Sequence, residues 1–132
     1  MKYLMENITE ILILLFLMIT FLQSAVDKIL DWKGNLGWLK GHFSKTFLRN
    51  MVPLALFKVL VVELIAGLLS AYGIYELIVN NDRTIGLYGA VFSCLALIML
   101  LFGQRLAKDY DGARTIAIYF IVAMIGAHFL SQ

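Results

Sequence analysis

Four long stretches of apolar side chains, separated by one longer loop and two short polar turns, run along the 132 residues. The first covers about 8–26, and no polar side chain falls between 11 and 19. The second covers about 52–78 and opens with Pro53. Proline suits a first helical turn because the N–H it lacks has no intrahelical partner there. The third and fourth cover about 85–103 and 113–130. Each approaches the ~20 apolar residues that a helix needs to cross ~30 Å of hydrocarbon. Open strands in lipid would leave backbone N–H and C=O groups unpaired, so helices are the only reading. The pattern predicts an all-α integral membrane protein. It is a single membrane domain over 1–132, a four-transmembrane-helix antiparallel bundle with an interfacial loop at 27–50 between the first two helices.

Composition excludes the soluble alternatives. Hydrophobic residues make up 61%, charged residues 15%, and mean hydropathy is +0.85. Soluble domains run at about 45–50% apolar and about 25% charged. A domain this small buries only about 60–70% of the surface its unfolded chain exposes, so the solvent must be lipid. A net charge of +2 offers no basic face for nucleic acid. The single cysteine, Cys94, cannot form an internal disulfide, and without a CxxC there is no thiol-exchange centre. Lys2 and the apolar run 11–19 have the outline of a signal peptide. Glu6 and Glu10 ahead of the run, and a poor cleavage site at 23–25, favour a retained helix.

Basic residues set the expected orientation. Lys2 and Arg83 fall on the side of the two termini. Lys28, Lys33, Lys40, Lys45, Arg49, Arg105, Lys108 and Arg114 fall on the other, and Lys58 lies inside the second stretch. The positive-inside rule then puts loops 27–50 and 104–112 in the cytoplasm and both termini outside. The expected location is a bacterial inner membrane with periplasmic termini.

The 27–50 loop holds Trp32 and Trp38, with Leu36, Leu39, Phe43 and Phe47 set between lysines. Tryptophan sits well at headgroup level, and an apolar face flanked by lysine suits an interfacial segment. Gly34, Gly37 and Gly41 predict a broken, membrane-hugging path with a short helix near 44–49. Trp32, Trp38, Phe43 and Phe47 are thus candidates for a lipid-surface anchor or for docking a soluble partner. Its lysines also suit anionic lipid.

Three short motifs occur in order along the chain. Residues 21–28, FLQSAVDK, end the first stretch; 63–69, ELIAGLL, lie in the second; and 109–113, DYDGA, precede the fourth. They resemble the F-x-x-(S)-G-x-x-K, E-x-x-x-G and D-Y-x-G-A stretches of the DoxX-like membrane proteins, with Ala25 at the place of the family's glycine. Lys28, Gly67, Asp109, Tyr110 and Gly112 are the matching positions. The resemblance implies the same four-span fold. Members include a small subunit associated with a terminal quinol oxidase and with thiosulfate–quinone chemistry. Quinone is therefore the one cofactor it suggests.

Ionisable groups inside a bilayer are costly and are functional candidates by default. Glu63 lies about 11 residues into its helix, ~16 Å deep, with Ser93 and Cys94 at similar depth on the third. It serves either as one interhelical hydrogen bond locking the bundle or in proton or quinol handling. Depth counting also selects a layer of Glu10, Tyr88 and His128. A carboxylate, a phenol and an imidazole together suit a quinone headgroup or a proton shuttle. Separately, each is ordinary at a membrane interface. Asp111 is expected to cap the fourth helix, and Gly86/Ala90 and Gly89/Ser93 to let helices approach closely.

Haem is disfavoured, because the two histidines, His42 and His128, lie on opposite sides. No group of residues has metal-ligand spacing, phosphate-loop glycines or a nucleophile's setting, and no catalytic residue is assigned. Two functional readings follow. In the favoured one the chain is a non-catalytic subunit or assembly factor whose partners are other membrane proteins, further copies of itself, and lipids. In the alternative it is a quinone-linked oxidoreductase component whose intramembrane carboxylate handles protons. Transport of a small lipophilic molecule is a third, less supported reading.

Overall fold

A computed structural model of the protein describes residues 2–44 and 50–132. Six helices follow one another: α1 Lys2–Glu6, α2 Ile8–Leu30, α3 Trp32–His42, α4 Val52–Val79, α5 Thr84–Leu106 and α6 Tyr110–Leu130. α2, α4, α5 and α6 are each long and apolar enough to cross a membrane. They form an antiparallel bundle in which α4 packs between α2 and α5, and α6 packs mainly on α5 and closes lightly onto α2. The protein is a small, multi-pass integral membrane protein.

Each spanning helix turns a narrow stripe inward. On α2 the buried positions are Glu10, Ile11, Leu14, Leu17, Phe21 and Ala25. On α4 they include Leu56, Leu60, Glu63, Ala66, Ser70, Gly73 and Leu77. Steps of three and four keep one face toward the neighbours. The outward faces carry large apolar groups such as Leu12, Phe57, Leu68, Ile118 and Ile121, all exposed. This is the distribution expected where the surroundings are as apolar as the core.

α4 and α5 lie closest where small residues meet. A Cβ added at Gly73 would come within 2.5 Å of the Gly86 Cα. Only hydrogen fits on the Gly73 side of that contact, while a Cβ on Gly86 would meet the Leu14 side chain at 2.9 Å. Small residues thus let the helices approach, as the spacing of the third stretch predicts. The two tight interhelical turns use left-handed residues, Asn81 at φ 53° and Lys108 at φ 60°. The Asp82 N–H donates back to the Glu76 carbonyl at 3.2 Å, and the Asp109 N–H to Gln104 at 2.9 Å. These bonds close helix ends whose last carbonyls lack partners.

Two expectations need correction. The glycine-containing stretch after α2 does not break: Trp32–His42 is one continuous helix of 11 residues, none of them buried. It lies across the ends of α2 and α4. Each glycine costs about 1 kcal/mol relative to alanine in a helix, but beside lipid an unpaired backbone group costs more. The short helix expected near 44–49, and with it Phe47, lies outside the described residues.

Asp111 does not cap α6. That helix begins at Tyr110, so the capping position is Asp109, whose Oδ1 accepts from the Gly112 N–H at 3.0 Å. Asp111 sits in the first turn and pairs at the surface with Arg114, 3.3 Å away.

Candidate functional site

Two polar centres interrupt the apolar bundle, one toward each end. The first joins α2 to α4. Lys28 continues the inward stripe of α2, one turn beyond Ala25 and two beyond Phe21. Its Nζ lies 2.8 Å from Oε1 of Glu63 and donates to Ser24 Oγ at 2.6 Å. The Glu63 side chain is 1% exposed and that of Lys28 16%. Gly67, one turn after Glu63, makes this approach feasible. A Cβ there would meet the Leu22 side chain at 2.6 Å and its backbone N at 3.3 Å. The close contact of α2 with α4 thus brings a lysine to a carboxylate that has no water to fall back on. The partner of Glu63 is a cation, where the sequence suggests a lone hydrogen-bonding acid.

A cleft of about 400 Å³ opens beside this pair, between α3 and the adjoining ends of α2, α4 and α5. Lys28 and Lys58 line it, with Trp38 and His42 from α3 and Phe43 just after it. Trp38 stacks on His42 with ring centroids 4.5 Å apart, and His42 meets Phe43 edge-on at 5.2 Å. His42 Nε2 lies 3.7 Å from Asp109 Oδ2, which ties α3 to the turn before α6. Trp38 is exposed, and Trp32 and Phe43 are half-buried.

The second centre gathers the start of α2, the α4–α5 turn and the end of α6. Arg83 Nη2 approaches Glu10 Oε2 at 2.6 Å and donates to Asn7 Oδ1 at 3.0 Å. Its Nη1 donates to the Phe129 carbonyl at 3.0 Å. Asn7 Nδ2 in turn donates to Asn81 Oδ1 at 2.7 Å. One guanidinium, with its fixed fork of donors, therefore ties two other pieces of chain, the start of α2 and the end of α6, to its own turn. Outside the spans, the Thr84 N–H donates to Asp82 Oδ1 at 2.9 Å and holds that carboxyl below its usual range.

The layer of Glu10, Tyr88 and His128 is not brought together. Glu10 turns inward to Arg83. Tyr88 is 51% exposed, and His128 is exposed, its Nε2 lying 3.1 Å from Gln132 Nε2. The reason is helical phase. Tyr88 is two residues from buried Gly86, and His128 two from both Gly126 and Leu130. Two residues turn a helix by ~200°, to the opposite face. Matching depth does not match direction. Of the other neighbours expected of Glu63, Ser93 is buried and its Oγ donates to the Gly89 carbonyl at 2.8 Å, while Cys94 is a buried free thiol.

Sequence reasoning missed the cations of both centres as partners. By hydropathy alone Lys28 falls in the loop and Arg83 in a turn, although extending the α2 stripe by one turn reaches Lys28. Among the described residues no group of three His, Cys, Asp or Glu side chains is placed to hold a metal ion. Comparison of the chain with protein-family models, curated proteins and solved structures finds no match.

Proposed function

We propose that this chain is a DoxX-like integral membrane protein acting as a non-catalytic subunit or assembly factor of a membrane complex. Its setting is a bacterial inner membrane, with both termini periplasmic and the α3 end cytoplasmic. One observation carries the reading. The two buried carboxylates of the spanning helices are already engaged within the bundle, Glu63 with Lys28 and Glu10 with Arg83. Paired in this way they hold helices together rather than stand open to exchange protons. The family resemblance gains support from the same contacts. Lys28 of the first motif meets Glu63 of the second beside Gly67, and Asp109 of the third caps its helix through Gly112.

The test is extraction of the native tagged protein in mild detergent, with co-purifying proteins identified by mass spectrometry and extractable quinone and the visible spectrum recorded. A stoichiometric membrane partner, with no quinone carried by this chain, is the expected result. A solitary four-helix protein that retains quinone overturns it.

A quinone-linked role is the second reading, favoured by the position of Lys28, which touches Glu63 and also lines the cleft. Replacing both members of the pair separates the two. The Lys28→Met/Glu63→Gln chain keeps the activity of its complex under the first reading and loses quinone turnover at normal abundance under the second.

A further inference from the structure

We propose that the cleft beneath α3 binds an anionic phospholipid of the surrounding bilayer, with the phosphate at Lys58 and an acyl chain along the apolar wall. The charges lining the cleft are all of one kind. Lys28, Lys58 and, when protonated, His42 are cationic, and among the described residues no carboxylate lines it. Lys28 is answered by Glu63 and His42 by Asp109. Lys58 is exposed and has no hydrogen-bond or ion-pair partner among the described residues. A cation at that position calls for an anion from outside the chain.

The remainder of the wall specifies what that anion is attached to. Val52, Leu56, Val59, Met99, Leu100 and Phe102 make it predominantly apolar. A water-soluble anion would leave this surface uncovered, whereas an amphiphile covers it. About 400 Å³ lies within the ~300–1,000 Å³ of small-molecule sites. Depth agrees with a lipid. Lys58 is six residues past Val52, so ~9 Å along the helix from its start, near enough to the interface for its ammonium to reach a headgroup along its stem. Phe102 and Trp38, which line the cleft, are 56% and 61% exposed, so its wall reaches the surface that faces the bilayer. Basic pockets between spanning helices are recognised sites for anionic headgroups.

Trp38 lines the cleft and reports on it directly. The experiment uses the full chain carrying Trp32→Phe, so that Trp38 alone emits as tryptophan, in phosphatidylcholine vesicles. Chain-brominated phosphatidylglycerol or chain-brominated phosphatidylcholine is added as quencher. The expected result is half-maximal quenching by the anionic lipid at about five-fold lower mole fraction, the factor one lysine near an anionic headgroup confers. Lys58→Gln brings the two curves together. Ala55→Phe, which fills the cleft, weakens quenching by both lipids. Native mass spectrometry of the unmodified chain gives a second readout, one retained phosphatidylglycerol that Lys58→Gln loses. Superimposable curves in the Lys58 chain, a preference that survives Lys58→Gln, or displacement by millimolar glycerol phosphate would each overturn the proposal. The last would assign the site to a free phosphate.

Discussion

Removing one member of the Lys28–Glu63 pair should do more damage than removing both. At 2.8 Å and an effective dielectric constant of 20, the gross attraction is about 6 kcal/mol. Desolvation of the two ions offsets several kcal/mol for each, so the intact pair contributes little net stability. Removing one partner exposes the full asymmetry. Lys28→Met leaves a carboxylate that is 1% exposed, about 16 Å along α4 from its start, with no counter-charge. The expected loss is about 3–5 kcal/mol. Glu63→Gln leaves an ammonium near the end of α2 that is 16% exposed and can move outward along its stem, so about 2 kcal/mol is expected. The double variant Lys28→Met/Glu63→Gln removes both charges and should lie within about 1 kcal/mol of the native chain. Reversible unfolding in mixed dodecyl maltoside–dodecyl sulfate micelles, followed by far-ultraviolet circular dichroism, measures all four corners of the cycle. A double variant destabilised by the sum of the singles would refute the reasoning, because the two charges would then be acting independently.

Three further outcomes follow from other contacts. Arg83→Gln removes the cation facing Glu10 and the donors to Asn7 and Phe129, and at a site one-third exposed should cost about 2 kcal/mol in the same unfolding assay; Arg83→Lys, lacking the fork, should recover only part. Gly73→Ala forces a methyl against the Gly86 backbone and should cost about 1–3 kcal/mol, while Gly37→Ala, with nothing within 4 Å, should gain about 0.5–1 kcal/mol by its propensity; equal effects at the two glycines would sink the close-approach account. Asp109→Ala should cost about 1 kcal/mol through the lost cap of α6, whereas Asp109→Asn, which can still accept from the Gly112 N–H, should cost less than half of that by thermal unfolding.

What the sequence made legible, and what it hid, divides along a physical line. Length and hydropathy locate spans because the bilayer imposes them on each helix separately, and the four stretches became α2, α4, α5 and α6 with ends shifted by a few residues. Those few residues mattered. A first span that ends at residue 26 leaves Lys28 in a loop as a topological charge. α2 runs on to Leu30, and its stripe of three- and four-residue steps carries the Lys28 side chain into the bundle. Depth counting found Glu63 and Glu10, both buried, because depth is a one-dimensional property of the chain. It could not find their partners, since facing depends on helical phase and on which helices are neighbours. The same limitation grouped Tyr88 and His128 with Glu10, although both side chains turn outward. The two errors are one error with opposite signs, and helical phase corrects both. Glu10 falls one residue before Ile11 on the inward stripe of α2, whereas Tyr88 and His128 stand ~200° from the buried small residues beside them. A polar residue on the inward stripe of a spanning helix must find a partner within the protein, because lipid supplies none. A polar residue on the outward stripe need only reach an interface. Glu63, Glu10 and Lys28 find such partners within the bundle. Lys58, exposed on α4 beside an apolar cleft, has no ion-pair partner among the described residues and reaches the interface, where the proposed lipid headgroup meets it.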